Sequence, residues 1–598
     1  MGAILAVFGE AGDPELPERL EKMIAVSPYR GKAERILAPG AAMAIQTLGW
    51  DASIATVGNF IVAFHGFIGN WDELAPALGL RFEDGASNAE RLGIAFESVG
   101  ERLFARLRGE FAVVILDRSS RVVTAARDVY GVRPLFVLRD SGRDYLAAEI
   151  KQVLAGSAAQ PRLDETFLAS WLVHRYGDGG ETMYQGVRRL VPGHAYALAL
   201  DTPGQERRRA PYWKPPQEKR ERRRDEASYA EELRAILDRA VGRSLAERPG
   251  AVALSGGMDS PTIWALIRRR AQRGDRRAGL VGAVTLRFPG FDCDETALVR
   301  EIIAMTGGDG TFVDATAVAP FDLIEMLARV VEGPFIATQY HGSLIADAAK
   351  EMERCVVYYG FGGDEWLTGS PHYLGDELRR GHVLRVLADA RAVRLGRGLA
   401  RLRGLVRHTI IPVAGPPWSR KAAVPAWLHP SRRGTLLLRP RAEARSRSGA
   451  ALLNTLTTHR AASYFGNAEL VAAQAGVELR CPLCDLDLIE FAFRAPGRVV
   501  MGGQRDKHLM RVSTCGLLPR AVVDRRRKVE FSGPIRSHVR AAARQEDVSR
   551  WHLVVREIVV PQEVQRLRAE VETNQDADGF HTFMRLLVAE RVCTRFDS

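Results

Sequence analysis

Two hydrophobic periods divide the chain near residue 226. In the first part, short apolar runs predict β-strands, which two or three helices interrupt. These runs are "AILAVFG", "SIATVGNFIVAFHGFIGN", "EFAVVILDR", "RVVTAARD" and "PLFVLRD". Strands mixed with separate helices predict an α+β sandwich for this part of the chain.

Helices and strands alternate in the second part. Ser228 and Glu231 form a capping-box signature before an apolar stripe at helical spacing. The strands "AVALS" and "GLVGAVTLRF" follow, and they are about thirty residues apart, the length of one βαβ unit. Further helices alternate with the strands "GTFVDA" and "CVVYYG". This order predicts an α/β domain with a doubly wound parallel sheet and helical additions.

A charged, proline-bearing stretch lies between the two patterns, "PGQERRRAPYWKPPQEKRERRRDEA". We therefore predict a first domain over residues 1–205, a basic linker over 206–226 and a second domain over 227–598. From about 370 to 462 the second domain is rich in arginine and mostly helical in pattern. Composition alone assigns no role to this segment.

Composition narrows the class of protein. The 598 residues are 46% hydrophobic and 26% charged, as in soluble globular proteins, and no run of about eighteen apolar residues appears. The N-terminus lacks the basic region of a signal peptide, so we expect a cytoplasmic protein without a membrane partner. Six cysteines are too few for a disulfide scaffold, and the CxxC pair Cys481 and Cys484 has no second pair at zinc spacing. The net charge of +12 comes mostly from arginine runs with little aromatic interleaving, which are typical of solvated faces.

The stretch "AVALSGGMDSPTIWALI" has the layout of an anion-binding loop. Ser255, Gly256 and Gly257 follow a strand, where backbone N–H groups and the N-terminus of the next helix attract an anion. Ser260 offers a hydroxyl donor. Asp259 would repel a phosphate, but it suits a Mg²⁺ ion that bridges phosphate oxygens. The loop has no GxxxxGK[ST] motif and is therefore not a Walker P-loop.

A second loop of this kind follows a later strand. In "YYGFGGDEWLTG", glycines and Asp364 come directly after the strand that ends near Tyr359. The carboxyl ends of parallel strands share one edge of a sheet. We therefore expect Asp259 and Asp364 to face each other across a crevice and to hold Mg²⁺ together.

At this point a family resemblance is visible. The SGGxDS loop resembles the pyrophosphate loop of the ATP pyrophosphatases, which cleave ATP to AMP and pyrophosphate. The order of several motifs is similar to that of the glutamine-dependent asparagine synthetase superfamily over nearly the whole length. These motifs are "LRGEFAVVILDRSSRVVTAARDVYGVRPLF", "TMYQGVRRLVPGH", "ELRCPLCDLDLIEFAF", "KHLMR" and "LPRAVVDRRRKVEF". The resemblance implies an Ntn-hydrolase-like αββα sandwich, followed by an ATP-pyrophosphatase domain.

The resemblance also implies the chemistry, in which a carboxylate is adenylated by ATP and an amine then displaces AMP. Asp259 and Asp364 would hold Mg²⁺, and residues 255–260 would cradle the pyrophosphate. Lys528 would stabilise charge during adenylation and acyl transfer, with Lys507 as a second candidate. The positions that fall where the family contacts the nucleotide are Leu254, Val284, Tyr359 and Gly360.

The first domain departs from the family pattern. Glutamine-using members carry a nucleophilic Cys directly after the initiator Met, where this chain has Gly2, and no Ser, Thr or Cys precedes Ser27. The family's Asn-Gly-Glu of the glutamine pocket reads His65-Gly66-Phe67, so its amide and carboxylate are missing. We therefore expect a degenerate, inactive amidotransferase-like domain that makes no ammonia.

An amine must then come from another source. Relatives with an inactive first domain are the β-lactam synthetases and the lasso-peptide cyclases, which join an Asp or Glu side chain of a precursor peptide to its own N-terminal amine. The long arginine-rich segment favours the cyclase. So does Phe361, because β-lactam synthetases have at this place a Tyr that forms part of a base dyad, and Phe cannot accept a proton. An α-amine, with an intrinsic pKa of about 7.7–8.0, also needs little help from a base.

We therefore predict a lasso-peptide macrolactam synthetase that uses ATP and Mg²⁺. Its partners would be a precursor peptide, a leader peptidase and a leader-recognition protein, without nucleic acid. The alternatives are a β-lactam-type ring closer, an ammonia-dependent asparagine synthetase, a basic tRNA-modifying ligase and an inactive scaffold. The amidotransferase-like domain disfavours the tRNA-modifying ligase, and the intact metal acids disfavour the scaffold.

Overall fold

The computed structural model describes most of the chain, including nearly all of the two regions with different hydrophobic periods. The described residues are 2–201, 208–216, 225–317, 320–333, 335, 339–392, 424–437, 446–457, 459–502, 506–525, 529–531, 533–573 and 579–596. Within these ranges no helix is both long enough and apolar enough to cross a bilayer.

The described residues of the first part of the chain form twelve strands and five α-helices. The strands are β1 (Ala3–Phe8), β2 (Lys32–Ala38), β3 (Ala41–Thr47), β4 (Ala52–Val57), β5 (Phe60–Ile68), β6 (Gly109–Asp117), β7 (Val122–Arg127), β8 (Phe136–Asp140), β9 (Arg143–Ala147), β10 (Arg188–Arg189), β11 (His194–Ala199) and β12 (Arg208–Pro211). The helices are α1 (Leu16–Ala25), α2 (Trp71–Leu78), α3 (Asn88–Val99), α4 (Ile150–Ser157) and α5 (Glu165–Leu172).

These strands form two antiparallel six-stranded sheets, in the orders β10-β8-β9-β1-β3-β2 and β12-β11-β7-β6-β5-β4. Strand β1 is buried on both faces, because Ile4 and Phe8 point between the sheets while Leu5 points toward α1 and α4. Helix α3 covers the outer face of the second sheet. The layers are therefore helix, sheet, sheet and helix, which confirms the predicted αββα sandwich.

Two features of the sandwich were not predicted. The β2–β3 hairpin was not predicted because β2, with the sequence "KAERILA", is a largely exposed edge strand whose charged residues give no apolar pattern. Strand β12 lies inside the predicted linker 206–226 and extends the second sheet by pairing with β11. It is held there by an ion pair between Arg209 and Asp178, a long-range contact that composition cannot reveal.

The second part of the chain contains five strands and many helices. The strands are β13 (Gly250–Ala253), β14 (Val281–Arg287), β15 (Gly310–Asp314), β16 (Val356–Tyr358) and β17 (Glu478–Arg480). The helices are α6 (Glu226–Ser244), α7 (Asp259–Gln272), α8 (Arg276–Gly279), α9 (Thr296–Thr306), α10 (Pro320–Val330), α11 (Tyr340–Glu351), α12 (Gly363–Trp366), α13 (Tyr373–Arg379), α14 (Val383–Ala392), α15 (Arg447–Thr457), α16 (His459–Ala475), α17 (Leu486–Arg494), α18 (Gly497–Met501), α19 (His508–Ser513), α20 (Arg520–Val523), α21 (Gly533–Gln545), α22 (His552–Val555), α23 (Pro561–Thr573) and α24 (Phe580–Cys593).

The five strands form one parallel sheet in the order β15-β14-β13-β16-β17. This confirms the predicted doubly wound sheet. The strand order reverses direction between β13 and β16, and such a switch point opens a crevice at the carboxyl ends of the strands. The loops that follow β13 and β16 carry Asp259 and Asp364, so both predicted metal acids lie at the crevice.

Buried charges join the sandwich to the parallel-sheet part. Arg30 is fully buried and donates to the carboxylates of Glu149 and Glu469, the latter on α16. Burial opposes its charge, but the two carboxylates outweigh that effect and raise the pKa of Arg30. Arg133 makes a similar bridge to Glu478 on β17, at 3.2 Å.

Removing the Arg30 guanidinium should destabilise the protein strongly. The variant Arg30→Met removes the cation of the buried Glu469 carboxylate and leaves Glu149 to its pair with Lys151 at 3.1 Å, and breaking a buried pair typically costs about 3–5 kcal/mol. Chemical denaturation of the full chain, followed by circular dichroism and tryptophan fluorescence, measures the change.

The matched control is Arg35→Met, which breaks the exposed ion pair between Arg35 and Glu21. Exposed pairs contribute about 0–1 kcal/mol, so this variant should unfold almost like the wild type. Equal losses in both variants would contradict the role assigned to the buried bridge.

Candidate active site

The candidate site lies at the carboxyl ends of β13, β14 and β16. Residues 255–258 connect β13 to α7, which begins at Asp259, and a glycine-rich turn connects β16 to α12. The first loop is tied to β14 by a hydrogen bond from Leu254 N–H to Val284 O of 2.9 Å. The second is tied to β17 by a bond from Tyr359 N–H to Arg480 O of 2.9 Å. The sheet itself therefore sets the distance between the two loops.

The structure brings Asp259 and Asp364 together around one cation. Lys507 donates from its ammonium group to Asp259 Oδ2 and forms an ion pair with Asp364 Oδ1 at 2.7 Å. Burial disfavours the charged lysine, but the two carboxylates outweigh it and raise the pKa of Lys507. Lys507 also has φ 59° and ψ 36°, a left-handed conformation that is uncommon for a residue with a side chain. The lysine is therefore held firmly between the two acids.

Glycines allow the two loops to approach this closely. A Cβ atom on Gly360 would lie 2.8 Å from Asp259 Cβ and 3.0 Å from Ser260 N. A Cβ atom on Gly363 would lie only 2.0 Å from Asp259 Oδ1. Gly360, predicted as a nucleotide contact, thus has a second reason to be glycine.

The predicted pyrophosphate loop is ordered by its own serines. Ser255 N–H donates to Ser260 Oγ at 3.0 Å, and the two hydroxyl groups are 3.1 Å apart. Gly257 N–H donates a long hydrogen bond of 3.4 Å to Ser255 Oγ, so its bond within the protein is weak. Gly256 differs, because its N–H donates to Glu295 Oε2 at 2.8 Å.

The remaining nucleotide candidates line the floor of the crevice. Val284 is fully buried in β14 and Leu254 is 2% exposed, so only their backbone atoms could meet a ligand. Tyr359 stacks on Phe361 with ring centroids 4.9 Å apart, and Phe361 also meets Tyr464 edge-on. Burial raises the pKa of Tyr359 further above its ordinary value, so its hydroxyl stays protonated.

Lys528, the predicted charge-stabilising lysine, lies outside the described residues. Its described neighbours Val529 and Phe531 pack against Phe288, which follows β14 at the same edge of the sheet. The described residues that follow Lys528 in the sequence therefore lie near the sheet edge that forms the crevice.

Sequence reasoning missed two residues of the site, Glu295 and Arg525. Arg525 pairs with Glu295 and also donates to Gly256 O at 2.9 Å. Neither residue belongs to the SGGxDS or GGDE loops, and they are far apart in sequence. Only the position of Arg525 inside the motif "LPRAVVDRRRKVEF" could have drawn attention to it, and Glu295 lies in none of the recognised motifs.

In the first domain, the residues at the predicted glutamine pocket face one another. Gly2 N–H donates to Asp51 Oδ2, and a Cβ atom on Gly2 would lie 2.5 Å from Ala52 Cβ. His65 is fully buried, and burial, with Arg133 and Arg30 nearby, lowers its pKa well below the usual value. Phe67 lies under the guanidinium of Arg480, 4.2 Å from its ring centroid. Gly2 thus has no room for a nucleophilic side chain in this packing.

The paired acids are the candidates for binding a metal at this site. The described part of the chain contains no group of three or more His, Cys, Asp and Glu side chains arranged to hold a metal. Asp259 and Asp364 already share one cation, the Lys507 ammonium, so the donor set suits a cation whose other ligands come from a phosphate substrate. Cys481 and Cys484 are both buried free thiols.

Comparison with known proteins identifies the family. The sequence matches the family described as "Asparagine synthase" over residues 232–589 and the "Glutamine amidotransferase domain" over residues 45–213. The first match covers more than half of the chain, so the chain belongs to the asparagine synthase family.

Three relatives illustrate the range of similarity. Amidase chyE of Penicillium rubens is 27% identical over 49% of this chain and 44% of its own length. Amidase chry2 of Gibberella zeae is 28% identical over 49% of this chain and 45% of its own length. The glutamine-hydrolyzing asparagine synthetase 3 of Bacillus subtilis is 22% identical over 78% of this chain and 75% of its own. The chain thus spans less than half the length of the two fungal amidases it matches.

The variant Lys507→Met should bind divalent cations more tightly than the wild type when no nucleotide is present. The ammonium now neutralises both acids, and its removal leaves two facing carboxylates that attract a cation. Titration with Mn²⁺, followed by electron paramagnetic resonance of the free ion, measures the affinity.

Asp364→Asn in the Lys507→Met background is the control, and it should cancel the gain. Unchanged Mn²⁺ affinity in Lys507→Met would mean that the carboxylates do not form a cation site.

Proposed function

We propose that this chain is an ATP- and Mg²⁺-dependent ligase that closes a macrolactam ring in a peptide. It would adenylate the carboxylate of an Asp or Glu side chain in a precursor peptide. It would then join the activated carboxyl carbon to the peptide's own N-terminal amine. The products would be the cyclic peptide, AMP and pyrophosphate.

The observation that carries the proposal is the cluster of Asp259, Lys507 and Asp364 at the switch point of the parallel sheet. Two acids and a lysine at the carboxyl ends of neighbouring strands are suited to a triphosphate with its metal ion. Membership of the asparagine synthase family supports the same reading.

Mg²⁺ would be held by Asp259 and Asp364 and would neutralise charge on the phosphate oxygens. Lys507 would then be released from one or both acids and could turn its ammonium toward the phosphates. The loop of residues 255–260 would bind the departing pyrophosphate through the N-terminus of α7 and the hydroxyl groups of Ser255 and Ser260.

The proposed reaction has two steps. An oxygen of the substrate carboxylate attacks the α-phosphorus of ATP, the bond to the β-phosphate oxygen breaks, and pyrophosphate leaves. The amine nitrogen then attacks the acyl carbon, the bond to the AMP oxygen breaks, and the amine loses a proton to water. Lys528 would stabilise the negative charge that develops on the transferred groups.

The state of the first domain supports an amine from outside the protein. Gly2 carries no nucleophile, and Phe67 is packed under Arg480 where the family has a carboxylate. Two fungal relatives are named amidases, and this chain has no nucleophilic side chain at Gly2. An external amine, such as a peptide N-terminus, fits these facts.

Two features favour a peptide over a small molecule. Phe361 is fixed by stacking on Tyr359 and by contact with Tyr464, and its ring accepts no proton. The α-amine of a peptide is partly unprotonated near neutral pH, with a pKa of about 7.7–8.0, and needs less help from a base. Leu456, near the end of the arginine-rich segment, and Phe465, just after it, share the core with Trp366 of α12, so the described end of this segment borders the Asp364 loop.

A substrate comparison tests the proposal directly. The full chain is incubated with ATP, Mg²⁺ and synthetic peptides that have an N-terminal glycine and an Asp or Glu at successive positions. We expect a peptide product lighter by one water, formed together with AMP and pyrophosphate, and detected by mass spectrometry. The same peptides with an acetylated N-terminus should form no ring.

A second set of substrates represents the alternative, an ammonia-dependent asparagine synthetase or a small-molecule ring closer. If AMP is released with free aspartate and ammonia but with none of the peptides, the macrolactam proposal is overturned, whereas the assignment as an ATP-dependent ligase stands. The named asparagine synthetase among the relatives makes this comparison necessary.

Substitution of either acid should abolish AMP formation. Asp259→Asn and Asp364→Asn each keep the size of the side chain but remove one of the two charges that would hold the metal, and removal of such a ligand typically costs orders of magnitude in rate. AMP release with the active peptide is the measurement.

Asp309→Asn is the matched control, because this exposed acid precedes β15 at the opposite edge of the same sheet. It should retain full activity. Retained activity in Asp259→Asn or Asp364→Asn would refute the assignment of that acid.

A further inference from the structure

We propose that Glu295 and Arg525 act as a positioning pair, which fixes the pyrophosphate loop against the segment that leads to Lys528. The inference rests on the proposed adenylation and adds two residues to it. Neither residue is expected to touch the substrate.

The pair holds both backbone groups of one glycine. Gly256 N–H donates to Glu295 Oε2 at 2.8 Å, and Arg525 Nη1 donates to Gly256 O at 2.9 Å. Arg525 Nη1 also donates to Glu295 Oε1, which closes the triangle. The Glu295 side chain is only 8% exposed, so these bonds lie in a poorly solvated place where they are strong.

The surroundings of Gly256 and Gly257 differ, and they assign a structural role to the first and a ligand-facing role to the second. A Cβ atom on Gly256 would lie 2.9 Å from Leu298 Cδ2, 3.0 Å from Glu295 Cδ and 3.1 Å from Arg525 Nη1. A Cβ atom on Gly257 would meet only Ser255 Oγ, at 3.5 Å. Gly256 was expected to cradle the pyrophosphate, but its N–H is used within the protein. Gly257 and the first turn of α7 are left to face the ligand.

The same C-terminal segment grips the loop at a second point. Arg511 on α19 donates to Val522 O and Val523 O, at 3.2 and 2.6 Å, and so ties α19 to α20. Lys507 precedes α19 and binds Asp259, while Arg525 follows α20 and binds Gly256. Lys507 and Arg525 thus belong to one connected C-terminal frame, residues 507–525, and they hold the loop at two positions that are three residues apart, Asp259 and Gly256.

This frame ends directly before the predicted lysine of the reaction. Arg525 is three residues before Lys528 in the sequence. A charge that stabilises a transition state must be placed accurately, and a displacement of about 1 Å can cost on the order of 100-fold in rate. The pair would therefore set the position of the phosphate loop, including Gly257 and the first turn of α7, relative to the reacting groups. Its loss should lower kcat more than it raises KM for ATP.

A double-mutant cycle tests the pair in the full chain. Glu295→Gln and Arg525→Met should each lower kcat for AMP formation by about 10-fold or more, with KM for ATP changed by less than about threefold. The double variant should be no slower than the slower single variant, because the two residues act as a unit. Arg525→Lys, which keeps the charge, should recover part of the rate.

The control is Arg270→Met, which breaks a comparable pair with Asp238 near the far end of α7. It should leave kcat and KM close to those of the wild type. Losses that add up in the double variant would overturn the pairing. Tighter ATP binding in Glu295→Gln would also overturn it, since Glu295 would then be a competitor of the phosphate.

A readout without catalysis separates this inference from the proposed function. Hydrogen–deuterium exchange of the peptide that spans residues 250–260 should accelerate in Glu295→Gln and Arg525→Met, because the charged acceptor of the Gly256 amide becomes a neutral, weaker one in the first variant and loses its cationic partner in the second. If the wild type forms no AMP with any carboxylate, the proposed function fails, and the exchange rates still decide the pair. Unchanged exchange in both variants would refute it.

Discussion

The whole site depends on placing two carboxylates against each other at one end of a sheet. Two unit charges of the same sign at about 4 Å repel by roughly 4 kcal/mol at an effective dielectric constant of 20. Lys507 removes this penalty by binding both Asp259 and Asp364. Close approach of the loops also requires the absence of a side chain at Gly360 and Gly363. The site is thus assembled around a cation, which is the property that a magnesium-bearing substrate would use.

The first domain contributes to this assembly although its nucleophile position is a glycine. Glu110 of β6 accepts a hydrogen bond from Cys481 N–H at 2.6 Å, and the turn that follows Cys481 contacts the Asp364 loop. There Leu483 O accepts from Trp366 Nε1 at 2.7 Å. Burial raises the pKa of Glu110 to about 7, and the nearby Arg133 counteracts this rise. The domain therefore supports the Asp364 loop from behind, which gives it a structural role beside any chemistry of its own.

The parts of the fold and site that could be predicted are those carried by local patterns. The alternation of strands and helices gave the parallel sheet, and glycine-acid loops after β13 and β16 gave the paired acids, because strand ends share an edge. The position of Lys507 between the acids, and the pair of Glu295 and Arg525, could not be predicted, since each joins residues more than one hundred positions apart. Strand β17 was missed as well, because three residues are too few to show a period.

The buried ion pairs between the sandwich and the parallel-sheet part bear on the direction from which an amine could reach the crevice. The fully buried pairs of Arg30 with Glu469 and of Arg133 with Glu478 lie at this interface. A polar path along these pairs would be closed by charges that bind each other, and opening it would expose unpaired ions in the protein interior. The crevice at the strand ends, by contrast, is bordered by Asp364, which is 46% exposed. An amine that enters from solvent, attached to a chain that can reach the crevice, meets no such barrier.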